Sequence, residues 1–160
     1  NPCGERANRR WAPERYASVG SKIAAVMPAR MLIFGGPGEE QIAAAVERQM
    51  TVAAVNLAGK LSLNELAYLI SRLDLLITND SGPMHMAAAT RTPVAAIFGP
   101  EDPVLMRPYT SEDLYRVIYK PLPCRPCQKD LCERPLCLEA VTAEEVFSAA
   151  MKLLEGNSRP

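Results

Sequence analysis

The sequence predicts an α/β fold in which helices cover both faces of a parallel β-sheet. Two observations predict it: short apolar segments of strand length alternate with helical segments, and turns containing glycine or proline separate them. Strands that are apolar at nearly every position are typical of parallel sheets buried on both faces. At 160 residues, the chain has the length of one such domain.

Periodicity and end signals predict five helices. Pro13 suits the first turn of the first helix, since proline lacks the amide hydrogen that a first turn leaves unpaired. Ser62 with Glu65, and Thr142 with Glu145, have the spacing of a capping box, in which each side chain accepts from the other residue's backbone amide. The predicted ranges are 11–26, 39–49, 62–72, 83–89 and 142–154.

Five strands are predicted between these helices, over residues 31–34, 52–55, 73–78, 94–98 and 115–119. Parallel α/β sheets bind ligands beyond the carboxyl ends of their strands. A ligand site is therefore expected in the segments after Phe34, Thr78 and Phe98, together with the loop before Trp11.

Charge and hydropathy narrow the class of protein. The chain has 18 basic and 18 acidic residues, whereas a general nucleic-acid binder is normally basic, so we expect no nucleic-acid partner. No apolar run approaches the roughly 18 residues of a membrane span, and no secretory signal opens the chain. We expect a cytoplasmic protein without a transmembrane segment, peripheral attachment at the inner membrane being left open. The abrupt start at Asn1 suggests a domain that is slightly truncated at its N-terminal strand.

The segment from Asp80 to His85 carries the strongest functional signal. A buried strand ends there, Gly82 allows a tight turn, and a helix begins at about Pro83. The unpaired amides of a first helical turn, at the positive end of the helix, form an anion site that suits a diphosphate. The Ser81 hydroxyl adds a donor. The alternative is that Asp80 and Ser81 only cap the helix and His85 packs; the chain's single histidine at this position favours the ligand site.

A glycine-rich turn, residues 35–38, precedes two acidic residues, Glu39 and Glu40. An acid at the start of this helix can accept hydrogen bonds from the two hydroxyls of a ribose. Taken alone, the turn favours a simpler interpretation, in which both acids complement the helix dipole.

Basic residues precede the first helix, at Arg6, Arg9 and Arg10, followed by Trp11. Guanidinium groups suit phosphate oxygens, although basic stretches are more often solvated surface. The expected position of this stretch, at the same sheet edge as Asp80, favours a phosphate contact.

Four cysteines follow the last strand with the spacing C-x2-C-x4-C-x4-C, in what we call the cysteine segment, residues 124–137. Four thiolates hold structural zinc tetrahedrally, but this spacing differs from the paired C-x2-C of a zinc ribbon. Three alternatives therefore stay open for these cysteines: a structural zinc site, reduced thiols, or disulfides. A catalytic cysteine is not expected, because the single histidine is assigned elsewhere. The candidate metal ligands are Cys124, Cys127, Cys132 and Cys137.

Several segments together form a recognisable set: residues 56–66, 79–85 and 93–100, with Arg9-Arg10-Trp11 and Pro13 before them. This set resembles glycosyltransferase family 9, the ADP-heptose:lipopolysaccharide heptosyltransferases. The cysteine segment, followed by Leu138 and Thr142, resembles the heptosyltransferase II branch. The resemblance covers nearly the whole chain.

The resemblance implies a Rossmann-like fold, the C-terminal domain of a GT-B glycosyltransferase, in which two such domains face each other across a cleft. Residues 1–160 then form the domain that binds the ADP-sugar donor. The N-terminal acceptor domain and its catalytic carboxylate are absent, so no catalytic residue is expected here. The implied reaction transfers heptose from ADP-heptose to the inner core of lipopolysaccharide, and this fragment should bind donor without turnover.

The resemblance also implies which residues contact the donor. The motif 80–85 contacts the diphosphate and heptose, and Arg9, where the family usually has lysine, contacts phosphate. Either Glu39 or Glu40 holds the ribose, and the loop 59–63 lines the adenine. The implied donor-binding residues are Arg9, Glu39, Glu40, Lys60, Asp80, Ser81, Gly82 and His85.

No metal or other cofactor is expected for catalysis, because the family is metal-independent and the donor edge offers amides and arginines without an Asp-x-Asp pair for Mg²⁺. The expected partners are the ADP-heptose donor and, through the other domain, the lipopolysaccharide core. Two alternatives stay open: another GT-B sugar-nucleotide enzyme, such as an epimerase or a transferase for a different donor, and a non-catalytic nucleotide-binding or interaction domain. A preceding domain with a catalytic aspartate would favour the transferase.

Overall fold

The computed structural model describes residues 1–4, 6–127 and 132–157. The strands are β1 (Met31–Ile33), β2 (Ala54–Asn56), β3 (Leu76–Asn79), β4 (Val94–Ile97) and β5 (Tyr115–Ile118). The helices are α1 (Pro13–Val26), α2 (Glu40–Gln49), α3 (Leu63–Ser71), α4 (Gly82–Ala89), α5 (Pro103–Met106), α6 (Leu136–Glu139) and α7 (Ala143–Gly156). Two 3₁₀ turns, Ala7–Arg9 and Glu112–Leu114, complete the described elements.

Every strand pair is parallel, as predicted, and the pairs form two sheets. One contains β1 and β2, and the other has the order β3–β4–β5. The N-terminal segment lies along β3, where the Asn1 amino group donates to the carbonyl of Ile77 at 2.7 Å. A cleft of about 130 Å³ is lined in part by residues of β1, of β3 and of this segment.

Helices cover both faces of β4, which is buried along its whole length. Ala95 and Ile97 contribute to a core beneath α1 and α7, whereas Val94 and Ala96 contribute to a second core beneath α3 and α4. This alternation follows from the two-residue period of a strand. It confirms the predicted arrangement of helices on both faces.

Two strand starts were predicted two or three residues too early. The third strand begins at Leu76, where the backbone amide first bonds to the next strand's segment, at Pro93. Leu73 belongs instead to the turn that ends α3, because its amide donates to Ile70. The second strand begins at Ala54, since its ladder with β1 starts there. Apolar composition alone does not show where a ladder begins.

Both predicted capping boxes are present. Ser62 and Glu65 exchange the two expected hydrogen bonds at the start of α3, and Thr142 and Glu145 do so at α7. Lys120, two residues after β5, also bonds Glu145 and, with the Thr142 contacts, lowers the pKa of this carboxyl to about 2. The cap therefore fixes α7 against the last strand as well as satisfying its first amides.

Asn79, the last residue of β3, joins three segments through its fully buried side chain. Its oxygen accepts from the Trp11 amide at 3.0 Å and from the Tyr16 hydroxyl at 2.9 Å. Its nitrogen donates to the carbonyls of Pro2 at 2.9 Å and Cys3 at 3.2 Å. All four hydrogen-bonding positions of the amide are thus used, which fixes the backbone immediately before Asp80.

Candidate functional site

The site forms where β3 and β4 end. Asp80 follows β3 directly, and its amide donates to the Ile97 carbonyl at 3.0 Å, which extends the ladder by one step. The chain then turns and α4 begins at Gly82, with Ser81 in the cap position. The start of α4 therefore lies at the carboxyl edge of the sheet, where α/β folds bind ligands.

The start of α4 is exposed and has no side-chain cap. Ser81 does not bond the first turn; its hydroxyl donates back to the Asn79 carbonyl at 3.2 Å. Gly82 and His85 are both exposed. The alternative in which Ser81 caps this helix and His85 packs is therefore not what the structure has. The Met84 amide, in this first turn, already donates to the Ser81 carbonyl at 3.0 Å.

Arg9 lies between two carboxylates at this edge. Its Nη1 is 3.6 Å from Asp80 Oδ2, and its Nη2 contacts Glu101 Oε1 directly. Among the described residues, neither Asp80 Oδ2 nor Arg9 Nε has a hydrogen-bond partner, although both atoms are buried. Buried polar atoms in folded proteins are usually bonded, so these two unpartnered atoms mark this edge as a candidate ligand site.

The surroundings of Asp80 change the pKa of its carboxyl. The side chain is only 3% exposed, and burial raises the pKa of its carboxyl above the usual range. The Arg9 guanidinium opposes this shift, Glu101 adds to it, and His85 opposes it more weakly. Perturbed carboxylates in clefts mark functional sites more often than other positions.

Glu39 and Glu40 have different environments, which the sequence could not show. Both carboxylate oxygens of Glu39 accept from backbone amides, of Gly4 at 2.8 Å and of Gly36 at 2.7 Å. Glu40 is exposed, accepts from the Gly38 amide at 3.2 Å, and lies against Gly59. Glu39 therefore ties the glycine-rich turn to the N-terminal segment, whereas Glu40 faces the loop 59–63.

Lys60 lies in the loop 59–63 but does not point toward Asp80. Its ammonium donates to the Asn56 carbonyl at 2.8 Å, at the end of β2, and the side chain is exposed. Gly59 has a φ of +71°, a backbone conformation that favours glycine, and a side chain there would collide with Glu40. The loop and Glu40 are thus packed together at the outer strand of the sheet.

The four thiols considered as zinc ligands do not converge among the described residues. In residues 1–4, 6–127 and 132–157, no three His, Cys, Asp or Glu side chains are arranged to hold a metal ion. Cys137 lies in α6 and packs into the core, where burial raises the pKa of its thiol. Cys132 turns to the carbonyl of Arg134 at 3.2 Å, and Cys124 is exposed. Residues 128–131, within the cysteine segment, lie outside the described residues.

Two residues of the site had no role assigned from sequence. Glu101 follows the Gly99-Pro100 turn at the end of β4, and the rule that ligands bind beyond strand ends already pointed to this segment. Its contact with Arg9 spans 92 positions in sequence and could not be read from local spacing. Arg125, in the cysteine segment, donates to the Glu101 carbonyl at 2.9 Å. The cysteine segment therefore contacts the site through the backbone of Glu101.

Comparison with known proteins decides the family. The sequence profile of glycosyltransferase family 9 (heptosyltransferase) matches residues 1–137. The chain belongs to glycosyltransferase family 9. Within the family, it is 29% identical over 155 residues to lipooligosaccharide heptosyltransferase 2 of Campylobacter jejuni, a match that covers 93% of this chain and 48% of that protein.

Solved structures of family 9 proteins share the fold. A family 9 glycosyltransferase of Veillonella parvula matches with a TM-score of 0.82 and 30% identity, covering 97% of this chain and 44% of that one. The Escherichia coli ADP-heptose lipopolysaccharide heptosyltransferase II matches with a TM-score of 0.83 and 24% identity, covering 99% and 46%. The alignment falls on the C-terminal half of these GT-B proteins, which confirms the predicted fold class. The chain spans about half the length of the curated relatives it matches.

None of the helices in the described residues combines the length and the apolar composition that a membrane span requires.

Proposed function

We propose that this chain is the donor-binding half of a heptosyltransferase that moves heptose from ADP-heptose to the inner core of lipopolysaccharide at the cytoplasmic face of the inner membrane. One observation carries the proposal: the open start of α4, the buried Asp80 and the Arg9 guanidinium meet at one sheet edge. Membership of family 9 supports the transferase class. The relative from Escherichia coli that is named for ADP-heptose supports the choice of donor.

The proposed chemistry uses the charges at this edge. As the bond between heptose and ADP breaks, negative charge grows on the leaving diphosphate. The Gly82 amide, the positive end of α4 and the Arg9 guanidinium would stabilise that charge. Asp80 Oδ2, which is buried and has no hydrogen-bond partner among the described residues, would accept a hydrogen bond from a sugar hydroxyl. The acceptor and its activating carboxylate would belong to the other half of the enzyme, and we propose no metal or other cofactor for the transfer.

We propose Glu40 as the acid that binds the ribose. It is exposed, and it lies against the loop 59–63, where the adenine is expected. Glu39 is a poorer candidate, because backbone amides already occupy both of its oxygens.

A matched pair of variants tests this assignment. Glu40→Gln should weaken ADP binding about tenfold, since the loss of one charged hydrogen bond costs about 1.5 kcal/mol. Glu39→Gln should lower the melting temperature while ADP affinity, measured well below melting, stays within about twofold. Calorimetric titration and thermal unfolding of both proteins provide the measurements. The opposite pattern would assign the ribose to Glu39.

The function itself is tested by titrating the protein with ADP, UDP and GDP. We expect ADP to bind tightest, because the site is proposed for an adenosine diphosphate sugar. Equal or tighter binding of UDP would exclude the ADP-heptose assignment while leaving the family and fold intact. Absence of binding by all three nucleotides would favour a non-catalytic role for the domain.

We propose that the cysteine segment is structural, with zinc as an open alternative to free thiols. Cys137 packs in the core, and the Cys127 amide donates to the Pro100 carbonyl at 2.9 Å, so the segment joins β4 to the last helices. A Cys124→Ser, Cys127→Ser, Cys137→Ser variant should lose several degrees of melting temperature, because the change at position 137 places a hydroxyl in the core, and elemental analysis of protein prepared without chelator decides the metal question. Full thermal stability combined with lost donor binding would show that these cysteines are functional instead.

A further inference from the structure

We propose that Glu101 competes with the donor's diphosphate for Arg9 and so sets the affinity of the site. The inference rests on the proposed function, because it takes Arg9 as a phosphate ligand. In the structure the Arg9 guanidinium is directly paired with Glu101 Oε1 and is 3.6 Å from Asp80. One cation therefore faces two carboxylates before any phosphate arrives.

The Arg9–Glu101 pair is partly shielded from water. The two side chains are 21% and 24% exposed, so the attraction between them is screened less than at an open surface. A diphosphate that takes the Nη2 donor must displace the carboxylate and then remain close to it. Both effects oppose binding, and both depend on the charge of Glu101 and not on its size.

The backbone of Glu101 is held by the cysteine segment. Arg125 Nη2 donates to the Glu101 carbonyl at 2.9 Å, and its Nη1 donates to the Lys120 carbonyl at 2.8 Å. The Cys127 amide holds the neighbouring Pro100 carbonyl. Displacement of Glu101 therefore involves rotation of its side chain, while the loop after β4 stays in place.

The entry segment that carries Arg9 is fixed against the same loop. A side chain at Gly99 would come within 3.1 Å of the Asn8 carbonyl and within 3.3 Å of Leu138. The close approach of these backbones keeps Arg9 beside Glu101 in the free protein. Arg9 is thus positioned at the edge of the sheet but already paired, which makes Glu101 a determinant of affinity.

The experiment compares nucleotide binding by the wild-type protein and Glu101→Gln. Glutamine keeps the shape and one acceptor oxygen for Arg9 but removes the charge. We expect ADP to bind about tenfold tighter to Glu101→Gln, with a larger gain at low ionic strength. In an Arg9→Ala background the same substitution should give a smaller gain, because the pairing with Arg9 is already lost and only the repulsion between the Glu101 carboxylate and the diphosphate is left to relieve. Glu112→Gln removes an exposed carboxylate near Arg107 and should leave affinity unchanged.

Weaker or unchanged ADP binding by Glu101→Gln, with the melting temperature preserved, would overturn the proposal and would indicate that Glu101 only positions Arg9. Inorganic pyrophosphate serves as a second probe and separates this failure from failure of the proposed function. If ADP does not bind but pyrophosphate binds tighter to Glu101→Gln than to wild type, the competition holds and the nucleotide assignment fails. If neither probe binds either protein, both proposals are wrong.

Discussion

Replacing Arg9 with alanine is expected to weaken ADP binding about 100-fold. Hydrogen bonds to charged groups contribute about 1.5–3 kcal/mol each, and about 2.7 kcal/mol corresponds to this change in affinity. The substitution also leaves Asp80 and Glu101 without the cation between them, so both carboxylates then oppose the incoming diphosphate. Calorimetric titration of the variant with ADP measures the effect.

Two further variants control the Arg9 prediction. Arg9→Lys keeps the positive charge but loses the fork of donors, so an intermediate loss of about tenfold is expected. Arg48→Ala removes an exposed arginine from the last turn of α2 and should not change the affinity. Unchanged ADP binding by Arg9→Ala would show that the guanidinium serves only to neutralise Asp80.

Replacing Asn79 with alanine is expected to lower the free energy of unfolding by about 4 kcal/mol. The change leaves the Trp11 amide, the Tyr16 hydroxyl and two carbonyls of the N-terminal segment without partners, and each buried unsatisfied group costs about 1–3 kcal/mol before relaxation. For a chain of this length the melting temperature should fall by about 10 °C. Urea and thermal unfolding followed by circular dichroism measure both quantities.

The matched control for Asn79 is Asn64→Ala, on the exposed face of α3, which should change stability by less than about 0.5 kcal/mol. A loss below about 1 kcal/mol for Asn79→Ala would mean that water replaces the lost amide. The hydrogen bonds of Asn79 to the three segments would then contribute little to the free energy of unfolding.

The sequence was sufficient for the fold because its local signals agree with each other. The apolar run that forms β4 and the capping boxes of α3 and α7 are read from neighbouring residues, and the structure has each of them. Strand starts were less predictable. Leu73 is as apolar as Leu76, but its amide closes the turn after α3, and only the tertiary pairing separates the two positions.

The candidate site was predictable in part. Asp80 and His85 lie at the sheet edge expected from the strand–turn–helix pattern, and Arg9 lies beside Asp80. The sequence could not separate Glu39 from Glu40, because the difference depends on the Gly4 amide, which lies 35 positions away. The pairing of Arg9 with Glu101 was likewise invisible, since two loops distant in sequence bring these charges together.

In the proposed function the donor's diphosphate binds at the start of α4, between Gly82 and Arg9. A crystal structure of the protein with ADP-heptose would locate the diphosphate. We expect a diphosphate oxygen within hydrogen-bonding distance of the Gly82 amide and another within reach of the Arg9 guanidinium, with Glu101 turned away. A diphosphate bound elsewhere, for example in the cleft between β1 and β3, with Arg9 still paired to Glu101, would contradict it.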